Sequence, residues 1–499
     1  MDDTSNSLGR KIIYGGMVIA SAQVLIRALG IVSALTVPRW LGPEEMGIFA
    51  VSMLVIAAID AFTESGLVSA FLQRKSDYGK YIVPVRTFNA LRGIFLGFLI
   101  YFSAPYVAHL MSAPRSMGVL KVLALAPVIN GFMPMIWQLA LKNFQFGYQA
   151  KYHAFMAFLN IGITVSLAWY LKNVWALVLG MLVSSLIGVV ISTLMSREGR
   201  GFTLNLKPLE DLHSFGFWIF LTSIVSYLFT NGGNWLVGSL LSVQILAVYT
   251  LALKFSTMFT GEAASIINQM MLPVFSHIQD DLPRLRTGFQ KSFGILAMIV
   301  VGVGVFFCVT AQDYFTIVLS AKWASYTTLF NSLLPWMTMW GISSALAGAQ
   351  SGVFQALGKP HWWLWSILAM CAIMLLLIWP AIRLFGAVGA AAVLGGVAAL
   401  MQIVRYIALA RMIQIAFIKI ISHVIGPVAA GILAVVAATW ARGAMVDNVW
   451  GQAVLANSVV VCVYLLGLVL CAPIMEPNLL SLARQLWLYA KKRTPGVLT

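Results

Sequence analysis

Long apolar stretches, separated by short polar segments, run through almost the whole chain. Each stretch reaches or exceeds the roughly 20 residues that a helix needs to cross a bilayer. The predicted spans are 12–38, 44–72, 83–111, 117–141, 152–171, 174–195, 214–240, 243–275, 291–311, 327–354, 361–382, 387–410, 418–441 and 451–472. The pattern therefore predicts an all-α polytopic membrane protein with about fourteen transmembrane helices.

The sequence contains a repeat in which residues about 200 positions apart resemble each other. Leu41–Phe49 is echoed by Leu241–Tyr249, and Arg86–Thr87 returns as Arg286–Thr287. Duplicated multi-helix units are typical of transporters, in which two related lobes surround a shared path. The predicted organisation is an N-terminal lobe at 1–195, a cytoplasmic linker at 196–213, a C-terminal lobe at 214–411, two further helices at 412–472, and a cytoplasmic tail at 473–499.

Composition supports a membrane protein rather than a nucleic-acid-binding one. The chain is 60% hydrophobic and 10% charged, with a mean hydropathy of +0.89. The net charge of +16 is explained by topology, because most Lys and Arg residues fall in every second connection between spans. This asymmetry predicts that both termini are cytoplasmic.

Charged residues within the predicted spans are the candidate functional residues, because a charge at mid-bilayer costs a few kcal/mol or more. Arg27 lies near the middle of the first span, and Asp60 and Glu64 lie one helical turn apart in the second. Because the two spans run antiparallel, Arg27 and Asp60 are expected at similar depth. A polar, partly hydrated cavity inside the N-terminal lobe follows.

Two further spans carry charged residues. Arg86, Asn89 and Arg92 follow helical spacing in the third span, nearer the cytoplasmic side. The eighth span carries Lys254 and Glu262, the latter at the repeat-equivalent depth of the acids in the second span. Each lobe therefore offers acids with bases nearby.

One interpretation is an anion-binding cavity whose acids titrate or bind a cation. Its substrate-binding candidates are Arg27, Arg92, Lys254, Arg86 and Asn89, and its ion-coupling candidates are Asp60, Glu64 and Glu262. Arginine suits phosphate because its planar guanidinium donates two parallel hydrogen bonds. The alternative is that these groups are buried ion pairs joining helices. For Arg86, near the cytoplasmic rim, membrane anchoring is the favoured alternative.

Motifs for catalysis were sought and not found. The sequence has no P-loop, GxSxG, HExxH or paired-cysteine motif, so no catalytic residue, cofactor or metal site is predicted. A membrane enzyme is the hypothesis from a class other than transporters. It is disfavoured because the longest outer loop, 312–326, offers little beyond Asp313 and Lys322.

The chain resembles the Wzx-like polysaccharide transporter family of the multidrug/oligosaccharidyl-lipid/polysaccharide exporter superfamily. The residues that carry the resemblance are Leu29–Gly30 after Arg27, Arg39–Phe49, Glu64–Leu67, Phe71–Lys75, Gln145–Gly147 and Gln355–Gly358. The resemblance implies two pseudo-symmetric six-helix lobes in a V and two peripheral C-terminal helices. By analogy, Arg27 matches the arginine in the first helix of the related lipid II flippases.

The resemblance also implies a function. A flippase of this family moves an oligosaccharide repeat unit on an undecaprenyl diphosphate type of lipid to the outer leaflet, for exopolysaccharide, capsule or O-antigen assembly. Alternating access would be coupled to an ion gradient. Expected partners are membrane lipids and the polymerase and chain-length or export proteins, with no nucleic acid. A lipid II flippase and a drug/cation antiporter of the same superfamily stay open as alternatives, and a membrane polysaccharide polymerase or ligase is the least favoured one.

Overall fold

The computed structural model describes residues 2–68, 71, 79–143, 145–196, 201–278, 280–319, 321–444 and 449–471, and every regular element in these ranges is helical. The first nine α-helices are α1 (Asp2–Trp40), α2 (Pro43–Ala61), α3 (Gly79–Leu110), α4 (Ser116–Leu123), α5 (Leu125–Gly131), α6 (Ile136–Lys142), α7 (Phe146–Leu171), α8 (Trp175–Met195) and α9 (His213–Leu240). They are followed by α10 (Val243–His277), α11 (Leu282–Ile317), α12 (Thr327–Ala356), α13 (Pro360–Met412), α14 (Phe417–Ala444) and α15 (Val449–Cys471). Short 3-10 helices at Lys207–Leu212 and Ala321–Tyr326 precede α9 and α12.

Helices occupy all or part of every predicted span, which confirms the all-α polytopic architecture. In the described part of the chain, nine helices are long and apolar enough to cross a membrane, or up to ten if a bent helix pair counts as one span. The predicted spans 44–72, 214–240 and 327–354 are not among these helices, so their number in the described residues is smaller than the fourteen predicted spans. Two predicted spans lie within α13, which breaks at Gly386 with φ +60°.

The second predicted span is shorter than its apolar pattern suggests. We expected a helix over 44–72, but α2 ends at Ala61. Thr63 Oγ1 donates to the Ile59 carbonyl at 2.7 Å, and the Gly66 amide donates to Glu64 Oε1 at 3.0 Å. Gly66 has a φ of +63°, a conformation that a side chain would strain. Local side-chain bonds and this glycine therefore end the helix while the sequence remains apolar.

The fourth predicted span, 117–141, is also interrupted. The segment from α4 through α5 meets α6 at an angle of 49°, and the break lies at residues 132–135. Pro134 falls in this break, where a helix would lack an amide donor. Two broken spans therefore lie in the first part of the chain.

The chain divides into two compact units, Met1–Ala247 and Val248–Thr499. We predicted that α9 belongs to the C-terminal lobe, whereas this division groups it with α1 to α8. Tyr227 Oη on α9 donates to the Leu54 carbonyl on α2 at 2.8 Å. At the start of α10, the Val243 carbonyl approaches α2 so closely that a Cβ on Gly47 would lie 2.0 Å from its oxygen. The predicted lobe boundaries stay a prediction.

In the second unit, α14 and α15 pack on α11 through small residues and a polar network. A Cβ on Gly302 would lie 2.5 Å from the Tyr464 ring, and Tyr464 Oη donates to the Met298 carbonyl at 2.6 Å. Near the ends of these helices, Arg442 Nη2 pairs with Asp313 Oδ1 at 2.7 Å. The two helices predicted to lie outside the repeat are thus fastened to α11 by both packing and charge.

Candidate functional site

A cavity of about 630 Å³ lies in the first unit. Its walls come from α2 and the loop after it, α3, α5, the break at 132–135, α6, and single residues of α8 and α9. Its polar lining includes Asp60, Glu64, Asn89, Arg92, Asn130 and Gln138. Both broken spans of this unit therefore border the cavity, an arrangement that recurs at substrate sites of transporters.

Close packing of α3 against α5 shapes one wall. A Cβ on Gly93 would lie 2.4 Å from the Pro127 carbonyl oxygen, and one on Gly131 would lie 2.8 Å from the Asn89 carbonyl oxygen. Small residues let two membrane helices approach backbone to backbone. This approach places Asn89 and Arg92 of α3 beside Asn130 of α5 along the same cavity.

Arg92 holds the broken end of α2. Its Nε donates to the Thr63 carbonyl at 2.9 Å, and its Nη2 donates to the Asp60 carbonyl at 2.9 Å. The same Nη2 also contacts Asp60 Oδ1 at 2.5 Å and Thr63 Oγ1 at 3.2 Å. These carbonyls belong to the helix end, where the last turn lacks intrahelical donors and attracts cations. Arg92 therefore caps α2 and forms an ion pair with its last acid.

The other terminal nitrogen of Arg92, Nη1, makes no hydrogen bond to any residue that the structure describes. Because Arg92 lines the cavity, this nitrogen is a donor for a ligand there. Asp60 has a 59% exposed side chain, whereas that of Arg92 is 19% exposed. The guanidinium of Arg92 is thus held in place by its hydrogen bonds, while most of the Asp60 side chain is exposed in the cavity.

The two acids of the second predicted span reach the same cavity by a route that the sequence did not predict. We expected Asp60 and Glu64 to share one helical face, but α2 ends at Ala61 and Glu64 lies in the following loop. The break turns the chain so that both acids still line the cavity. The expected neighbour of Asp60 was Arg27, whereas the structure pairs Asp60 with Arg92.

The remaining basic candidates of the first unit lie elsewhere. Arg27 is a half-buried residue of α1 and is not among the residues that line the cavity. Arg86 is 4% exposed, and its guanidinium lies 4.7 Å from the centre of the Phe202 ring. Arg86 is therefore buried against the connection between α8 and α9 instead of facing the cavity with Asn89 and Arg92.

The candidates of the second unit are only partly described. Lys254 lies on α10 with an exposed side chain. The side chain of Glu262 lies outside the described residues. Their assignment stays a prediction.

Sequence reasoning missed the contributions of Thr63 and Asn130. Thr63 supplies two oxygens to Arg92, and Asn130 supplies an amide to the cavity wall. A signal for Asn130 was present, since it immediately precedes the Gly131–Pro134 break in an otherwise apolar span. No sequence signal marked the Thr63 carbonyl, because every residue type has a backbone carbonyl.

The family of the chain follows from comparison with known proteins. A family model described as polysaccharide biosynthesis protein matches residues 36–328, which is more than half of the chain. The protein belongs to this family. The resemblance to Wzx-like transporters is thereby confirmed.

Curated relatives are distant in sequence, and their names agree with a polysaccharide biosynthesis family. The lipopolysaccharide biosynthesis protein WzxC of Escherichia coli K12 is 24% identical over 66% of each chain. The succinoglycan biosynthesis transport protein ExoT of Rhizobium meliloti is 20% identical over 58% of this chain and 59% of its own. The chain spans about two thirds of the length of the curated relatives it matches.

Solved structures show the same fold. The lipid II flippase MurJ in an inward closed conformation aligns with a TM-score of 0.71 at 13% identity, covering 92% of this chain and 99% of its own. An inward-facing multidrug transporter of the MATE family aligns with a TM-score of 0.59 at 16% identity, covering 80% and 98%. The chain is therefore a multi-pass membrane protein with the fold of this exporter superfamily.

Proposed function

We propose that this protein is a flippase that moves a polyprenyl-diphosphate-linked oligosaccharide repeat unit across the bacterial inner membrane, for exopolysaccharide, capsule or O-antigen assembly. The observation that carries the proposal is Arg92, a cation held in a polar cavity inside a bundle of membrane helices. Membership in a polysaccharide biosynthesis family supports it. The named roles of relatives in lipopolysaccharide, succinoglycan and teichuronic acid biosynthesis support it further.

The cavity offers the chemistry that such a substrate requires. A sugar cannot cross hydrocarbon without losing hydrogen bonds to water, and the amides of Asn89, Asn130 and Gln138 replace some of them. The diphosphate charge meets the guanidinium of Arg92, and the polyprenyl chain remains in lipid. A volume of 630 Å³ falls within the range of small-molecule sites.

Ion coupling is assigned to acids that sit beside this route. Asp60 and Glu64 both line the cavity, so proton or cation binding there would favour one conformation over another. Glu262 is proposed as their counterpart in the second half. Arg27 and Arg86, which do not line this cavity, and Lys254 stay proposed substrate-binding residues.

The proposed topology places both termini in the cytoplasm, following the distribution of Lys and Arg among the loops. Substrate would then enter from the inner leaflet, where it is made. No enzymatic step is proposed, and the polymerase and export proteins that use the product are proposed partners.

The test is the position of lipid-linked repeat units in cells that lack this protein. We expect them to accumulate on the inner leaflet in the deletion strain and to reach the outer leaflet when the wild-type gene is restored. Arg92→Ala should fail to restore translocation at equal membrane expression. Arg284→Ala, which removes a 79% exposed cation outside the cavity, should restore it fully. Repeat units that reach the outer leaflet without the protein would refute the proposal.

A drug/cation antiporter is the second candidate, favoured by the carboxylates of Asp60 and Glu64 in one cavity. It predicts energy-dependent efflux of a fluorescent organic cation from cells that express the chain. A lipid II flippase predicts arrest of cell-wall synthesis on depletion. Either result, with normal surface polysaccharide, would replace the leading proposal.

A further inference from the structure

The Asp60 carboxylate occupies the hydrogen-bonding position on Arg92 that an anionic ligand in the cavity would need. Of the three nitrogens of the guanidinium, Nε is used by the Thr63 carbonyl and Nη2 is shared by Asp60 and Thr63. Only Nη1 is without a hydrogen bond to the described residues. A single nitrogen supports one-point contact with an anion.

Tight recognition of a phosphate by arginine uses two parallel hydrogen bonds from neighbouring nitrogens. If Nη1 is to form one of these two bonds, Nη2 must form the other, and Nη2 already contacts Asp60 Oδ1 at 2.5 Å. A phosphate oxygen and a carboxylate oxygen at one donor would also repel each other. Bidentate binding therefore requires that Asp60 leave Nη2.

We infer that the Asp60 carboxylate is an internal substitute for the substrate's diphosphate and is displaced from Arg92 when the substrate binds. The inference rests on the proposed function, because it names the competitor at the proposed diphosphate site. Asp60 has space to move, since its side chain is 59% exposed. The bond from Nε to the Thr63 carbonyl does not involve the carboxylate, so Arg92 stays attached to the loop after α2 during the exchange.

Competition between Asp60 and the substrate predicts that affinity for the substrate rises when the carboxylate is removed. Removing a negative charge from a residue that binds substrate or supports the fold would weaken binding, whereas removing a competitor strengthens it. Asp60→Asn should tighten binding of a prenyl diphosphate about tenfold, because a charge-assisted hydrogen bond no longer has to be broken first. The asparagine keeps the size of the side chain and leaves the backbone contacts of Arg92 intact.

The experiment measures affinity of the purified full-length protein in detergent for farnesyl diphosphate, with farnesol as the uncharged comparison. Wild type should bind the diphosphate in preference to farnesol, and Arg92→Gln should lose that preference. The matched control is Glu44→Gln, which removes the same charge from an arginine ion pair outside the cavity, where Glu44 Oε1 accepts from Arg115 at 2.8 Å. It should change affinity less than threefold, as expected for a charge that interacts through water.

A double-mutant cycle separates competition from general electrostatics. In the Arg92→Gln background, Asp60→Asn should have no effect on affinity, because the group for which the two anions compete is gone. Tightening that persists without Arg92, or that Glu44→Gln reproduces in full, would overturn the inference. So would weaker or unchanged binding in Asp60→Asn when wild type binds in an Arg92-dependent way.

Failure of the proposed function gives a different result. If wild type does not distinguish farnesyl diphosphate from farnesol, anion recognition fails and the inference fails with it. A second measurement covers the case in which Asp60→Asn does not fold. In wild type, carbodiimide labelling of Asp60 should rise about twofold or more when the diphosphate is added, since the carboxylate loses its cation partner. Protection of Asp60 by the diphosphate would refute displacement.

Discussion

The ion pair between Arg442 and Asp313 should stabilise the second unit more than any surface ion pair in the described chain. Arg442 Nη2 donates to Asp313 Oδ1 and to the Val309 carbonyl, and its Nη1 donates to Gln312. Asn457 of α15 donates to Asp313 Oδ2 at 3.0 Å, so three helices share the network. The two charged side chains are 19% and 14% exposed.

Arg442→Met removes the cation and leaves Asp313 in a largely dehydrated position. Breaking a fully buried pair in this way costs about 3–5 kcal/mol, and partial exposure lowers the expected loss here to about 2–3 kcal/mol. The matched control is Arg284→Met. It breaks an ion pair with Asp281 whose side chains are 79% and 43% exposed, where the expected loss is about 0–1 kcal/mol.

The assay is thermal unfolding in one detergent, followed by tryptophan fluorescence, with the three proteins compared at one heating rate. Arg442→Met should unfold several degrees below wild type, whereas Arg284→Met should unfold within a degree or two of wild type. Adding Asp313→Asn to Arg442→Met should recover part of the loss, because the unpaired charge is then removed. Equal midpoints for Arg442→Met and Arg284→Met would refute the assignment of stability to this network.

Two further predictions concern the first unit. Gly93→Val should reduce the yield of monodisperse protein, because its Cβ would collide with an α5 carbonyl oxygen. The expected loss of stability from this overpacking is about 1–3 kcal/mol. The control Gly118→Val should keep the wild-type yield, since a Cβ at Gly118 meets nothing within 4 Å. Normal yield from Gly93→Val would contradict the described helix contact. Glu45→Gln should speed hydrogen exchange in the loop before α4, since Glu45 Oε1 accepts from Arg115 at 2.7 Å and Oε2 from the Val174 amide at 2.7 Å. Unchanged exchange there would show that these bonds do not order the loop.

The candidate site was only partly predictable from the sequence. Asp60, Glu64, Asn89 and Arg92 were selected as polar groups at membrane depth, and the structure brings all four to one cavity. Arg27 met the same criterion but does not line that cavity. Depth along a span follows from residue number, whereas the direction of a side chain depends on how its helix is rotated against its neighbours.

The pairing of Asp60 shows the same limit. Arg27 was the partner predicted by depth and Arg92 was expected nearer the cytoplasmic side, but helix packing brought Arg92 to the carboxylate. The broken end of α2 favours Arg92 as the partner of Asp60, because the Asp60 and Thr63 carbonyls there accept hydrogen bonds from the same guanidinium. Backbone carbonyls carry no sequence signal, so a site built on them is invisible before folding.

The sequence by itself determined that this chain is a bundle of membrane helices, because long apolar runs can satisfy their backbone groups in lipid only as helices. It also determined which few polar residues had to be sheltered from hydrocarbon. Tertiary structure decided where the helices break, which polar groups meet, and that Arg92 caps α2 beside an open cavity. These outcomes depend on contacts between segments far apart in the chain, such as Gly93 against α5, and no local pattern encodes them.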